Sequence, residues 1–116
     1  MSKQRISWLT VPEAFRLNSA CTAVSRAESG DFPHPYLVGS VLERADYHDV
    51  DLRLVLADEE FDRRFPDTRL LRFTNAVISD WLAEATGLPV DFQFQPWTEC
   101  QEYSGRPRHP QGMDIR

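Results

Sequence analysis

Two short segments, residues 49–56 and 90–95, alternate apolar and polar side chains, and they agree about which side is wet. In the first, Val50, Leu52, Leu54 and Leu56 fall on one side while Asp49, Asp51 and Arg53 fall on the other. In the second, Phe92 and Phe94 oppose Asp91, Gln93 and Gln95. Successive side chains of a β-strand project to opposite faces, so each segment reads as a half-buried strand. Strands of this kind need a sheet with one face covered and the other polar and open. If the two share one sheet, its open face collects Asp49, Asp51 and Asp91.

The remaining elements follow from caps and periodicity. Thr10-Val11-Pro12-Glu13 has the pattern of a helix N-terminus: Thr10 can cap, Glu13 can reach back, and Pro12 sits in the first turn where its missing N–H costs nothing. Ala14, Leu17, Cys21 and Val24 then recur on one face, and the helix is expected to stop near Arg26, before Gly30 and the turn-rich 31–35. Residues 36–38 form a short strand ending at Gly39-Ser40, and 41–45 begin a helical turn. A brief helical piece at 61–65 stops at Pro66. A longer helix spans 67–86, with Leu70, Phe73, Val77, Trp81 and Ala85 on one stripe, and Gly87 and Pro89 close it. This order specifies a small α+β domain with α/β-like character, built on a mixed sheet of at least three strands with helices on one face. The domain is expected to occupy residues 1–96, with 97–116 as a surface extension.

Composition narrows the function classes. A chain of 116 residues supports one core, and a formal charge of −5 disfavours non-specific coating of nucleic acid, which needs a basic face. It does not disfavour a metal–nucleotide complex, where the ion supplies positive charge. No apolar run reaches the roughly 18 residues of a membrane span, and the polar start Met1-Ser2-Lys3-Gln4-Arg5 is unlike a signal peptide. Cys21 and Cys100 read as free thiols of an intracellular, cytoplasmic protein. His34, His48 and His109 share no ligand spacing with them, and neither a Walker-type loop nor a dinucleotide fingerprint is present.

Three carboxylates on one sheet face repel, each raising the others' pKa. Such a cluster persists with a bound cation or with compensating arginines, and Arg53 and Arg44 are placed for the second role. Carboxylate oxygens converging on one spot suit Mg²⁺. Gly39-Ser40 adds a small turn whose backbone N–H groups and hydroxyl can face a phosphate chain. The opposing reading is a polar face half-neutralised by arginine that holds no ligand.

Taken together, Tyr36-Leu37-Val38-Gly39-Ser40, then Asp49-Val50-Asp51-Leu52, then Val90-Asp91-Phe92 resembles the signature of the nucleotidyltransferase superfamily that includes DNA polymerase β. Within it, the chain looks most like the minimal, single-domain nucleotidyltransferases, over residues 10–96. The resemblance implies the nucleotidyltransferase fold and a two-metal site for phosphoryl transfer. Asp49, Asp51 and Asp91 would be the catalytic carboxylates and would hold two Mg²⁺ ions. Gly39 and Ser40 would contact the β- and γ-phosphates. Arg44, in the place of the arginine that usually follows Gly-Ser, and Arg53 would complete the nucleotide contacts. The implied activity moves a nucleoside monophosphate from a nucleoside triphosphate such as ATP to a hydroxyl, in some families of this size one on a partner protein. Two other readings stand beside it: an inactive nucleotide-binding or protein-interaction module on the same fold, and an adaptor domain without a ligand.

The other candidates have plainer readings. Gly105-Arg106-Pro107-Arg108-His109-Pro110 is a solvated arm or a phosphate contact, and Asp58-Glu59-Glu60 with Asp62 is a solvated helix start. Trp8, Trp81 and Trp97 are expected in core and edge packing. His48 is expected on the apolar side or the strand edge.

Overall fold

Helix α1, Val11–Ala27, starts where its capping box places it: Thr10 Oγ1 accepts from the Glu13 N–H, and the Glu13 carboxylate accepts from the Thr10 N–H. A computed structural model describes residues 7–28, 34–101 and 109–111. The start at residues 1–5, the turn-rich stretch through Gly30 to residue 33, and the basic residues 105–108 lie outside the described residues. After α1 come β1 (Tyr36–Val38), a 3₁₀ turn (Gly39–Leu42), β2 (Val50–Leu56), α2 (Asp58–Arg64) and α3 (Thr68–Thr86). They are followed by β3 (Val90–Pro96), α4 (Trp97–Gln101) and β4 (His109–Pro110). Asp67 caps α3 at its N-terminus and Gly87, left-handed at φ 73°, ends it.

The protein is a small α+β fold on a mixed four-stranded sheet in the order β3-β2-β1-β4. β2 runs parallel to β3 and antiparallel to β1, and β4 runs antiparallel to β1. The parallel pair is in register, so Val50, Leu52 and Leu54 lie beside Val90, Phe92 and Phe94 on the apolar face. Leu17 and Cys21 of α1 and Leu82 of α3 cover that face, and all are fully buried. Phe65 packs on Phe94, which stacks edge-on against Phe92, and the Arg64 guanidinium lies 5.0 Å over the Phe94 ring while paired to Glu28 at 2.7 Å.

Three features depart from the sequence expectations. The segment after Pro96 does more than run over the surface. α4 packs against β2 and β3, Asp58 accepts from the Thr98 N–H at 3.0 Å, and β4 bonds to β1. Helix α2 begins at Asp58, three residues before the helical piece expected at 61–65, with Asp58, Glu59 and Glu60 forming its first turn.

The third departure concerns α3. Its stripe Leu70, Phe73, Val77 and Trp81 is exposed at 45, 67, 50 and 49 %. The line facing the sheet instead holds Leu71, Asn75, Ile78, Ser79, Leu82 and Thr86. The reason is the edge position of β3. Ser79 Oγ accepts from the Phe92 N–H (2.8 Å) and donates to its carbonyl (3.3 Å), and Asn75 Oδ1 accepts from the Phe94 N–H (3.1 Å). A sheet edge presents unpaired backbone groups, so the polar line of α3 turns inward to meet them and the apolar stripe turns out. The tryptophans follow suit: Trp8, Trp81 and Trp97 are each at least 37 % exposed, and none sits in the core.

Among the described residues no helix is long and apolar enough to cross a membrane. Among the described residues Cys21 and Cys100 form no disulfide, and burial pushes the Cys21 thiol up to about 12.

Candidate functional site

On the polar side of the sheet, the register places Asp51 beside Asp91 on β3 and beside Val38 on β1. One step along, Arg53 lies between Gln93 and Tyr36. The Asp51 and Asp91 carboxyls are therefore immediate neighbours, as the shared alternation of the two strands implied. This face is not open along its whole length. Val55, on the same side, is buried, and α4 packs against β2 and β3, so exposure is concentrated around the carboxylates.

The turn after β1 closes on the same spot. Gly39 adopts φ +81°, a left-handed conformation that side chains other than glycine rarely take. A Cβ built on it would stand 2.4 Å from Asp51 Oδ2. Backbone and carboxylate are thus packed as closely as a residue without a side chain allows. The helical turn starts at Gly39, not Val41, and the Ser40 carbonyl accepts from the N–H groups of Glu43 (2.9 Å) and Arg44 (2.7 Å).

Burial is the main cause that raises the Asp51 pKa. Arg53 lowers it, whereas the Asp91 and Asp49 charges and a hydrogen bond shared with Asp91 raise it further. Asp49 lies just outside β2, exposed but close enough for its charge to act on Asp51. Among the described residues no group of three or more acidic, histidine or cysteine side chains is gathered tightly enough to cage an ion. The carboxylates that could offer oxygens to a cation here are the Asp51–Asp91 pair, with Asp49 at its rim. Two carboxylate oxygens fit Mg²⁺, which is ordinarily held by one or two carboxylates while water and substrate phosphates fill its remaining positions.

The arginines occupy different places. Arg53 lies flat across the parallel pair, its side chain 18 % exposed, with its guanidinium 3.6 Å from Asp91 Oδ2. It also donates to the carbonyls of Leu52 (2.8 Å) and Asp91 (3.0 Å). It is the counter-charge of the cluster. Arg44 is exposed and stands 3.7 Å from Asp46. His48 is exposed ahead of β2, not on the apolar side or the strand edge. Arg53→Met keeps an unbranched apolar stem but removes the guanidinium, its charge and its two bonds to the Leu52 and Asp91 carbonyls. It is expected to lower stability by about 1–2 kcal/mol in urea unfolding.

Sequence reading did not single out Tyr36 and Val38, which share this face beside Arg53 and Asp51. In a strand of three residues, alternation is too short to register as a period. Compared with known protein families, with curated proteins and with solved structures, the chain finds no match.

Proposed function

We propose that the protein is a Mg²⁺-dependent nucleotidyltransferase, which moves a nucleoside monophosphate from a nucleoside triphosphate to a hydroxyl. One observation carries this reading: the Gly39 backbone is pressed against the Asp51 carboxylate while Asp91 lies in register beside it. A tight glycine turn and a carboxylate pair contributed by two strands therefore adjoin on one side of the sheet. Asp51 and Asp91, with Asp49 at the rim, would hold Mg²⁺. Bound there, the ion would neutralise charge on the triphosphate and on the departing pyrophosphate.

The chain's own residues do the positioning. Gly39, lacking a side chain, lets the turn close directly on Asp51, so that a phosphate held by the turn would lie beside the carboxylate pair. Ser40, next in the turn, brings a hydroxyl donor. The acceptor oxygen bonds to the α-phosphorus as the bond to the bridging oxygen breaks, pyrophosphate leaves, and the hydroxyl proton passes to a carboxylate of the pair. The exposed half of the sheet face admits an acceptor carried by another molecule, including a partner protein.

The Arg53–Asp91 contact supports a second reading, a module on the same fold without turnover, because it already compensates one of the two carboxylates. Calorimetric titration with ATP, GTP, CTP and UTP, with and without Mg²⁺, tests binding, and pyrophosphate release tests turnover. Mg²⁺-dependent binding that Asp51→Asn abolishes is the expected result. A folded protein silent toward all four nucleotides would overturn both readings, whereas binding without pyrophosphate release in the presence of hydroxyl acceptors would favour the second.

A further inference from the structure

The outward stripe of α3 is arranged evenly about Val77. Phe73, Val77 and Trp81 are spaced four residues apart and form an i, i+4 ridge, which Leu70 extends. Ridges of this kind pack into the groove beside an identical ridge. Phe73 and Trp81 are equidistant from Val77, so a second copy running antiparallel across Val77 sets each aromatic ring against the other kind. The exposed apolar surface amounts to roughly 400 Å², the size of the largest apolar patch on a typical single-chain protein, a patch that is often functional.

Charge settles which partner fits. Arg69 lies eight residues before Val77, and Glu84 lies seven after it. With about 100° of turn and 1.5 Å of rise per residue, Arg69 falls about 80° and Glu84 about 20° to the same side of Val77, at about 12 and 10 Å in opposite directions along the helix. Asp80 shares that flank. A two-fold axis through Val77 carries the flank of one helix onto the same flank of its partner with the direction reversed. Arg69 of each copy then meets Glu84 of the other, twice over. Among the described residues of its own chain, the ion pair of Arg69 is an exposed one, 3.8 Å from Asp67.

We infer that the α3 stripe is the contact face of a symmetric dimer, in which two copies of α3 pack antiparallel across Val77. The inference is independent of the nucleotide chemistry. Because the stripe turns away from β3, both carboxylate pairs stay accessible in the dimer.

Sedimentation and light scattering at high micromolar concentration test it, with circular dichroism confirming that each variant is folded. The wild type is expected at twice its 13.4 kDa chain mass. Val77→Asp, which places two carboxylates on the axis at a half-exposed position, is expected to raise the dimer dissociation constant at least ~10-fold. Arg69→Glu and Glu84→Arg should each weaken self-association. Mixed in equal amounts, they should associate with one another, because both cross-pairs then become opposite in charge. A wild type that remains at chain mass overturns the inference and leaves the stripe to a different chain. A dimer indifferent to Val77→Asp, or two charge variants that fail to rescue each other, overturns it as well.

Discussion

Replacing Gly39 with alanine is expected to lower the melting temperature by roughly 10 °C and to abolish Mg²⁺-dependent nucleotide binding. Two costs add. At φ +81° an alanine sits in the left-handed region, which costs about 1 kcal/mol. Its Cβ also meets Asp51 Oδ2 at 2.4 Å, so the carboxylate or the turn must move, at about 1–2 kcal/mol for overpacking. Gly87 separates the two contributions. It has a similar φ of +73°, but an added Cβ there has nothing within 4 Å. Gly87→Ala should therefore cost only the conformational part, about 4 °C for a chain of this size, and leave nucleotide titrations unchanged. If the two variants melt together, the approach of the turn to Asp51 is not as close as described.

Asp51→Asn is expected to move stability and function in opposite directions. Burial, with the Asp91 and Asp49 charges, raises the Asp51 pKa above its ordinary value even with Arg53 opposing. The folded state thus holds this proton more tightly than the unfolded chain does. Stability tied to the group is fully present below the unfolded pKa and is lost as pH rises through the raised value. At neutral pH the ionised side chain weakens the fold, and asparagine removes the weakness. The variant should melt a few degrees above wild type at pH 7, and the gap should close as pH falls through the carboxylate range. It should lose Mg²⁺-dependent nucleotide binding entirely, because a neutral amide cannot replace an ionised ligand. Thermal melts between pH 4 and 7, at values referenced to the ordinary carboxylate range, with a nucleotide titration at pH 7, read both effects. A variant that is stabilised and still binds Mg²⁺–nucleotide would remove Asp51 from the site.

Much of the sheet was legible in the chain because its signals are local. Alternation in residues 49–56 and 90–95 marked which side chains share a face within each strand, and the adjacency of β2 and β3 in the structure then put Asp51 beside Asp91. The Thr10–Glu13 capping box and the Gly87 stop need only a few neighbouring residues, so the bounds of α1 and α3 were readable to within a residue or so. The site was less legible. That Arg53 folds onto Asp91 while Arg44 stands off with Asp46 depends on how long side chains settle among several acids, and residue spacing carries no record of it.

Local sequence therefore determined α1, α3 and the three strands β1 to β3, though not α4 or β4, together with their polar and apolar sides and the residue types at the carboxylate face. Tertiary structure decided how those sides are used. Hydropathy marks Leu70, Phe73, Val77 and Trp81 as the natural inward stripe of α3, yet Asn75 and Ser79 face inward because the edge of β3 offers backbone groups that need partners. Strand order is a long-range property, and only once β3 is known to be an edge does a polar helix face become the one that packs. The approach of Gly39 to Asp51 arises in the same way. A glycine in sequence states what the backbone is free to do, and the neighbouring strand determines what that freedom is for.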